Sequence, residues 1–252
     1  MGGHIIMFDR KTYKANGKQA FQRNYWLCVA VALIVVMLCD GVLSGMFSLN
    51  DMPESDKIIE YYEAYQSGSV DYEMEVYDAP LQSRFLAEIP AILSLLGIFV
   101  FSIFDVGGCK FFIKNSVGEG QFSDLVTGFK DGHYWDYVWA LFAVKLQSFL
   151  WGLLLIVPGI VKAYEYAMVP YIVADNPGMD KKTAFAVSKQ MMTGNKWNLF
   201  VFDLSFLGWL ILSAITLNIV GVFYVYPYME ASRAEVYLAL KAGLSETGYS
   251  AE

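Results

Sequence analysis

Six long runs of apolar residues dominate the sequence, and they limit the folds that the chain can adopt. A helix needs about 20 mostly apolar residues to cross about 30 Å of hydrocarbon. One such run would also fit the buried helix of a soluble protein, whereas six runs in one chain favour a protein that crosses the bilayer repeatedly. The runs are Trp26–Phe47, Ile89–Ile113, Tyr134–Val157, Ile160–Ala174, Trp197–Leu217 and Ile219–Leu240.

The ends of the runs indicate how the helices are connected. Pro158-Gly159 and Leu217-Asn218 are typical of tight turns between antiparallel helices. The fourth run is the shortest, with a helical length of about 22 Å. The apolar core of Trp26–Phe47 is longer than the roughly 7–15 residues of a cleaved signal peptide, so we expect this run to stay in the membrane.

The composition agrees with a membrane protein. Hydrophobic residues make up 56% of the 252 residues and charged residues 17%, whereas soluble domains contain about 25% charged residues. The formal net charge of −7 argues against a protein that binds nucleic acid, which needs a basic surface. We therefore expect membrane lipids to surround the chain and no nucleic-acid partner.

Lysine and arginine fall on one side if the six spans alternate across the membrane. They occur in the N-terminal segment 1–25 and in the connections 114–133 and 175–196. Because cytoplasmic loops are enriched in these residues, both termini of this multi-pass protein of the cell membrane are predicted to be cytoplasmic. The loop 48–88 holds ten acidic residues against two basic ones and is predicted to be extracellular. Residues 1–252 thus form a single membrane domain.

The odd-numbered spans begin alike, which indicates an internal repeat. A tryptophan lies near the start of each, where it can anchor the helix at the interface. These residues are Trp26, Trp135 and Trp197. A short amphipathic stretch precedes each odd span, most clearly at Asp180–Thr193, where Asp180 is the expected N-cap. One apolar face of this stretch is formed by Ala184, Val187 and Met191. We predict an all-α fold of six transmembrane helices, arranged as three repeated hairpins with cytoplasmic amphipathic helices.

The C-terminal part of the chain carries a recognisable pattern. Ile156–Met168 reads IVPGIVKAYEYAM, and further matching segments follow it. They are Ala174–Pro177, Ser188–Lys196, Leu204–Trp209, Pro227-Tyr228 and Ala234–Tyr237. The pattern resembles the bacterial integral membrane family known as domain of unknown function 975. More distantly, the repeat resembles the membrane domain of glycerophosphodiester phosphodiesterases, without their catalytic domain. The resemblance implies a polytopic helical fold and transfers no activity.

The sequence contains no recognisable catalytic, cofactor or metal motif. Both histidines, His4 and His133, are predicted to lie outside the hydrocarbon core, which makes a histidine-based zinc site or a Ser-His pair in the bilayer implausible. No P-loop and no G-x-G-x-x-G is present. We therefore expect no enzymatic activity, no cofactor and no metal.

Ionisable residues within the spans are the best functional lead, because they are costly in lipid and usually face a helix bundle or water. The candidate site consists of Asp105, Lys145, Lys162, Glu165 and Asp203, with Tyr164 and Tyr166 as hydrogen-bond donors. A rise of about 1.5 Å per residue places Lys145 near the bilayer centre and Lys162 with Glu165 toward the outside. The two aspartates fall in the inner half.

Two interpretations of these residues remain open. They line a polar path that binds or transports a small amphiphile, a lipid or an ion, or they form structural pairs, Lys162 with Glu165 and Lys145 with Asp105 or Asp203. In the second case the protein is a membrane scaffold or accessory subunit, which holds a protein partner through the acidic loop or the cytoplasmic helices. A cavity that reaches Lys145 would favour the first interpretation, and closed salt bridges without a cavity the second.

Overall fold

The structure, a computed structural model, describes residues 8–37, 103–154 and 156–246. All regular elements within these ranges are helical, which confirms the all-α prediction for the described part. These residues belong to one unit formed by residues 1–39 and 99–252. The acidic loop 48–88 and parts of the first and second apolar runs lie outside the described residues.

Eleven helices are numbered here in chain order. They are α1 (Arg10–Arg23), α2 (Tyr25–Val35), α3 (103–117), α4 (Thr127–Lys130), α5 (Tyr134–Leu154), α6 (Ile156–Glu165), α7 (Val169–Asp175), α8 (Lys181–Met192), α9 (Lys196–Leu204), α10 (Leu207–Ile215) and α11 (Tyr226–Glu246). A 3₁₀ turn, Phe122–Val126, precedes α4, and a π-helical turn, Gly221–Val225, precedes α11.

The amphipathic helices α1 and α8 begin with the same capping interaction. The Asp9 carboxylate accepts hydrogen bonds from the Thr12 hydroxyl at 2.6 Å and the Lys11 amide at 3.0 Å. These bonds, that of Thr12 foremost, hold the pKa of Asp9 below its usual value. Asp180 likewise accepts from the Lys182 amide at 3.0 Å, as the sequence predicts. Both carboxylates satisfy an amide that the first helical turn leaves without a partner.

A helical segment precedes each of the three helices that begin the odd-numbered runs, and in the second position it is a 3₁₀ turn followed by a four-residue helix. Helix α1 precedes α2, the 3₁₀ turn and α4 precede α5, and α8 precedes α9. In the second and third copies a glycine with left-handed backbone, Gly132 at φ 75° and Gly194 at φ 82°, ends the amphipathic segment. Because side chains beyond glycine rarely adopt this conformation, the shared geometry supports the repeat.

Close backbone contacts hold the helices together at two glycines. A Cβ atom added to Gly17 on α1 would lie 2.5 Å from the Cα of Ser232 on α11. One added to Gly159 on α6 would lie 2.7 Å from the Cα of Gly152 on α5. Around these contacts the core is rich in aromatic and aliphatic side chains. Its largest fully buried members include Phe21, Phe111, Phe202, Phe206 and Tyr237.

The fourth run departs from its predicted boundaries. Helix α6 begins at Ile156, so Pro158-Gly159 lies inside its first turn and does not form the expected tight turn. Proline is tolerated there because the amide it lacks would have no helical partner. The helix then ends at Glu165, and α7 starts at Val169. The other predicted turn, Leu217-Asn218, is present, with φ of 50° and 66°.

One stretch among the described residues is long and apolar enough to cross a membrane. It is Lys196–Ile215, formed by α9 and α10, with a mean hydropathy of 1.8 over its apolar window. Only 22% of that window is buried within the protein. The structure therefore gives weak evidence for one membrane span, and the six-span topology with cytoplasmic termini stays a prediction.

Candidate functional site

An ion pair between Asp203 on α9 and Arg233 on α11 lies at the centre of the candidate site. The Asp203 Oδ1 atom accepts from the Arg233 Nε at 3.2 Å and lies 3.1 Å from Nη2. The other carboxylate oxygen accepts from the Tyr164 hydroxyl on α6 at 3.0 Å. Asp203 therefore connects three helices that are distant in the sequence.

A second carboxylate shares the same guanidinium. Glu230, one turn before Arg233 on α11, lies 3.4 Å from the Arg233 Nη1, as the three-residue spacing predicts. It also accepts from the Tyr171 hydroxyl on α7 at 2.9 Å. Two carboxylates thus surround one cation, and with both ionised the cluster carries one excess negative charge.

A cavity of about 340 Å³ opens beside this ion pair. Its size falls within the roughly 300–1,000 Å³ of small-molecule sites in proteins. The lining combines polar groups with small and flexible apolar side chains. It consists of Ala163, Tyr164, Ala167, Met168, Tyr171, Leu199, Asp203 and Arg233. The combination is suited to a molecule with a polar head and an apolar tail.

Glu165 forms a separate cluster at the end of α6. The Lys162 Nζ atom donates to its carboxylate at 2.9 Å, which is one of the predicted pairs. Lys196, at the start of α9, contacts the other carboxylate oxygen. The Ser188 hydroxyl of α8 donates to the Glu165 carbonyl at 2.9 Å. Glu165 is thereby tied to the amphipathic helix and to the first residue of α9.

The contact of Glu165 with Lys196 bears on the predicted depth of this cluster. The sequence predicts Lys162 and Glu165 toward the outside and the connection that ends at Lys196 on the cytoplasmic side. In the structure Glu165 and Lys196 are in direct contact. The depth of these residues in a membrane stays a prediction.

Lys145 pairs with Asp105, one of its two predicted partners. The Lys145 Nζ lies 3.4 Å from the Asp105 Oδ2, so the pair joins α5 to α3. The alternative partner, Asp203, is engaged by Arg233 instead. Tyr166 packs on Phe185 of α8, with ring centroids 4.9 Å apart.

The seven predicted site residues therefore form three sets and not one. Tyr164 and Asp203 line the cavity, Lys162 and Glu165 form a cluster that Tyr166 adjoins, and Lys145 pairs with Asp105. The Lys162 ammonium lies 5.7 Å from the centre of the Tyr166 ring. Only the first set borders the 340 Å³ cavity.

The sequence reasoning missed Arg233 and Tyr171 as parts of the site. The cost of placing an arginine within an apolar run was the available signal, and the same argument had selected Lys145. Nothing in the local pattern around Tyr171 pointed to Glu230, because the two lie 59 residues apart.

A second polar cluster offers a comparison with that of Asp203. Asp175, the last residue of α7, accepts from the Tyr237 hydroxyl at 2.7 Å and contacts Lys241. Its side chain is 20% exposed, against 19% for Asp203. Each carboxylate thus has one tyrosine and one cationic partner, but Asp175 has no second carboxylate beside it among the described residues of its cluster.

Comparison with known protein families links the C-terminal part of the chain to one of them. Residues 153–243 match the family model described as protein of unknown function (DUF975). This supports the resemblance seen in the sequence. The DUF975 segment contains every residue that lines the Asp203 cavity, whereas Asp105 and Lys145 precede it. No curated protein and no solved structure matches the chain significantly. The link to glycerophosphodiester phosphodiesterases stays a prediction.

Proposed function

We propose that the protein is a multi-pass membrane protein without enzymatic activity, which binds a small amphiphile with a cationic head in the Asp203 cavity. The observation that carries the proposal is the cavity itself, where a paired but negatively charged cluster meets an apolar wall. Transport of the bound molecule across the membrane is a separate prediction, which rests on the sequence.

Exposed apolar side chains support repeated membrane crossing. Monomeric soluble proteins rarely expose contiguous apolar patches larger than a few hundred Å². Here α5, α6 and the α9–α10 stretch all expose large apolar residues. Examples are Phe149, Leu153, Val157, Ile160, Leu207, Ile211 and Ile215. The three repeat tryptophans are also exposed, at 64–74%, as expected of side chains at a membrane interface.

The charge of the cluster selects the head of the ligand. Asp203 and Glu230 bring two negative charges, and Arg233 supplies one positive charge. The remaining partners, Tyr164 and Tyr171, donate hydrogen bonds but bring no positive charge. An excess charge away from water is costly, and a bound cation offsets it. An ammonium group is therefore the favoured head, with Asp203 as its contact.

The apolar part of the cavity suits an alkyl chain. Ala163 and Ala167 lie four residues apart and line the cavity with Met168 and Leu199. Small alanine side chains leave room, and methionine adapts to an irregular shape. An alkyl chain in this space would bury apolar area, which favours binding by about 0.8 kcal/mol per CH₂ group.

The proposal is tested with two probes that differ only in the head group. Decylammonium and decanol are titrated into the purified full chain in neutral detergent, with calorimetry as the readout. We expect decylammonium to bind about 10- to 100-fold more tightly, because a charge-assisted hydrogen bond contributes roughly 1.5–3 kcal/mol. Equal affinities of the wild-type protein for the two probes would contradict the proposal.

Two substitutions locate the effect. Asp203→Asn leaves Glu230 and Arg233 as a neutral pair, so the preference for decylammonium should disappear. Asp175→Asn removes a carboxylate of the same exposure and the same type of partners outside the cavity lining, and should keep the preference. A preference that survives in Asp203→Asn, or disappears equally in both variants, would refute the assignment of the site.

The alternative role as a scaffold or accessory subunit keeps one observation in its favour. Lys145 and Asp105 are closed into a direct pair, as expected if these two charges are structural. The acidic loop 48–88, through which a protein partner would be held, lies outside the described residues. This role therefore stays a prediction from the sequence.

A further inference from the structure

A second cavity, between α5 and α8, is lined by three lysines. Its volume is about 420 Å³, and it contains Lys181, Lys182 and Lys189 together with Gln147 and Tyr166. Ala143, Phe185 and Ala186 complete the lining. We infer that this cavity binds the phosphate headgroup of an anionic phospholipid.

The lysines of this cavity have no carboxylate partner among the described residues. In the part of the chain that the structure describes, no ion pair joins Lys181, Lys182 or Lys189 to a carboxylate. Asp180 is the nearest carboxylate along the chain, and its side chain accepts from a backbone amide at the start of α8. Three positive charges around one concave space attract an anionic group, and a phosphate, whose negative charge is shared by its non-bridging oxygens, is such a group.

The surface beside the cavity distinguishes a lipid from a free phosphate. Ala143 and Gln147 are four residues apart on α5, and Leu150 and Trp151 continue the same helix face. Leu150 is 48% exposed and Trp151 is 41% exposed. An acyl chain can lie along this apolar stripe while its headgroup occupies the lysine cavity. A free phosphate ion would leave the stripe exposed.

Tyr166 and Gln147 add neutral hydrogen-bonding groups to the charged ones. Both line the cavity, and Tyr166 packs against Phe185 on the facing helix. Each of the two non-bridging oxygens of a phosphodiester can accept more than one hydrogen bond, so neutral donors can bind beside the ammonium groups. The amide of Gln147 and the hydroxyl of Tyr166 are suitable donors to these oxygens.

This site is independent of the proposed function. The Asp203 cluster has excess negative charge and takes a cation, whereas the lysine cavity has excess positive charge and takes an anion. No residue lines both cavities. A variant that loses phospholipid binding but keeps the decylammonium preference would therefore affect the lysine cavity alone. A variant that loses the decylammonium preference but keeps phospholipid binding would affect the Asp203 cavity alone.

The experiment compares two phospholipids and one inorganic ion. Dioleoylphosphatidylglycerol, dioleoylphosphatidylcholine and inorganic phosphate are each added to the full chain in neutral detergent, and bound lipid is counted by native mass spectrometry. Thermal unfolding reports binding in parallel. We expect phosphatidylglycerol to bind at least tenfold more tightly than phosphatidylcholine, since each lysine near an anionic lipid contributes roughly 1 kcal/mol.

A triple variant with Lys181, Lys182 and Lys189 changed to Gln should lose this preference. The matched control changes three exposed lysines elsewhere, Lys11, Lys18 and Lys130, to Gln and so removes the same net charge. It should retain the preference. A Lys→Arg triple variant at the cavity keeps the charge and should also retain it, which separates loss of binding from loss of folding.

Three results would overturn the inference. The first is an unchanged lipid preference in the cavity triple variant. The second is an equal loss in the control variant, which would assign the preference to overall charge. The third is protection by inorganic phosphate equal to that by phosphatidylglycerol, which would assign the cavity to free phosphate and not to a lipid headgroup.

Discussion

Replacing Gly17 by alanine tests the contact between the first and last helices. The new Cβ would lie 2.5 Å from both the Cα and the Oγ of Ser232, whereas carbon atoms pack at about 3.5–4.0 Å. Since the Cα of Ser232 belongs to the backbone of α11, α1 must move away by about 1 Å or more to relieve the clash. Overpacking of this kind costs about 1–3 kcal/mol, and a clash with backbone favours the upper end.

The net effect is smaller than the clash, because alanine also favours the helix. Alanine in a helix interior gains about 0.5–1 kcal/mol over glycine. The expected net destabilisation of Gly17→Ala is therefore about 2 kcal/mol. For a chain of this size this lowers the Tm by about 4–8 °C. Thermal unfolding of the full chain in detergent, followed by far-UV circular dichroism, measures the shift.

Gly208→Ala is the matched control for this prediction. Gly208 lies in α10, and a Cβ added there meets nothing within 4 Å. No clash opposes the substitution there, so the Tm should stay at or above that of the wild-type protein. If Gly17→Ala were as stable as Gly208→Ala, the close contact between α1 and α11 would be refuted.

Three further predictions concern separate features, and each is tested by the same thermal unfolding measurement. Leu217→Gly should stabilise the folded protein by about 1 kcal/mol, because Leu217 is 88% exposed and its backbone is held at φ 50°. A lower Tm of this variant would contradict the left-handed turn. Asp180→Ala should cost about 1 kcal/mol through loss of the α8 cap, whereas Asp180→Asn should cost little, and equal losses would argue against capping. A double-mutant cycle with Lys145→Met and Asp105→Asn should give a coupling of about 0.5–1 kcal/mol, and additive effects would contradict the ion pair.

The sequence predicted local features well. The Asp180 cap, the Leu217-Asn218 turn and the Lys162–Glu165 pair all depend on residues within five positions of one another. Their geometry follows from helix periodicity and backbone preference, which a single sequence carries.

Contacts between distant segments were beyond such reasoning. Asp203 had several possible partners, and its choice of Arg233 depends on which helices lie side by side. The contact between Lys196 and Glu165 also depends on helix packing, because it requires the start of α9 to lie beside the end of α6. Hydropathy marks apolar runs and does not mark the break between α6 and α7. Pro170 in the first turn of α7 was a sequence signal for that break, since proline is tolerated at the start of a helix but disrupts its interior.

The packing of α1 against α11 has a consequence for how the chain is made. Lys14 on α1 donates to the carbonyl of Ser205, the residue after α9, at 3.3 Å across 191 residues. Gly17 on α1 contacts Ser232 on α11, which is further along the chain. At about 5–20 residues per second, synthesis of the intervening chain takes on the order of 10–40 s. During this interval the apolar face of α1 lacks its partner on α11. An amphipathic helix with basic residues binds a membrane surface, so we expect the nascent helix to rest on the lipid until the last helix emerges and releases it.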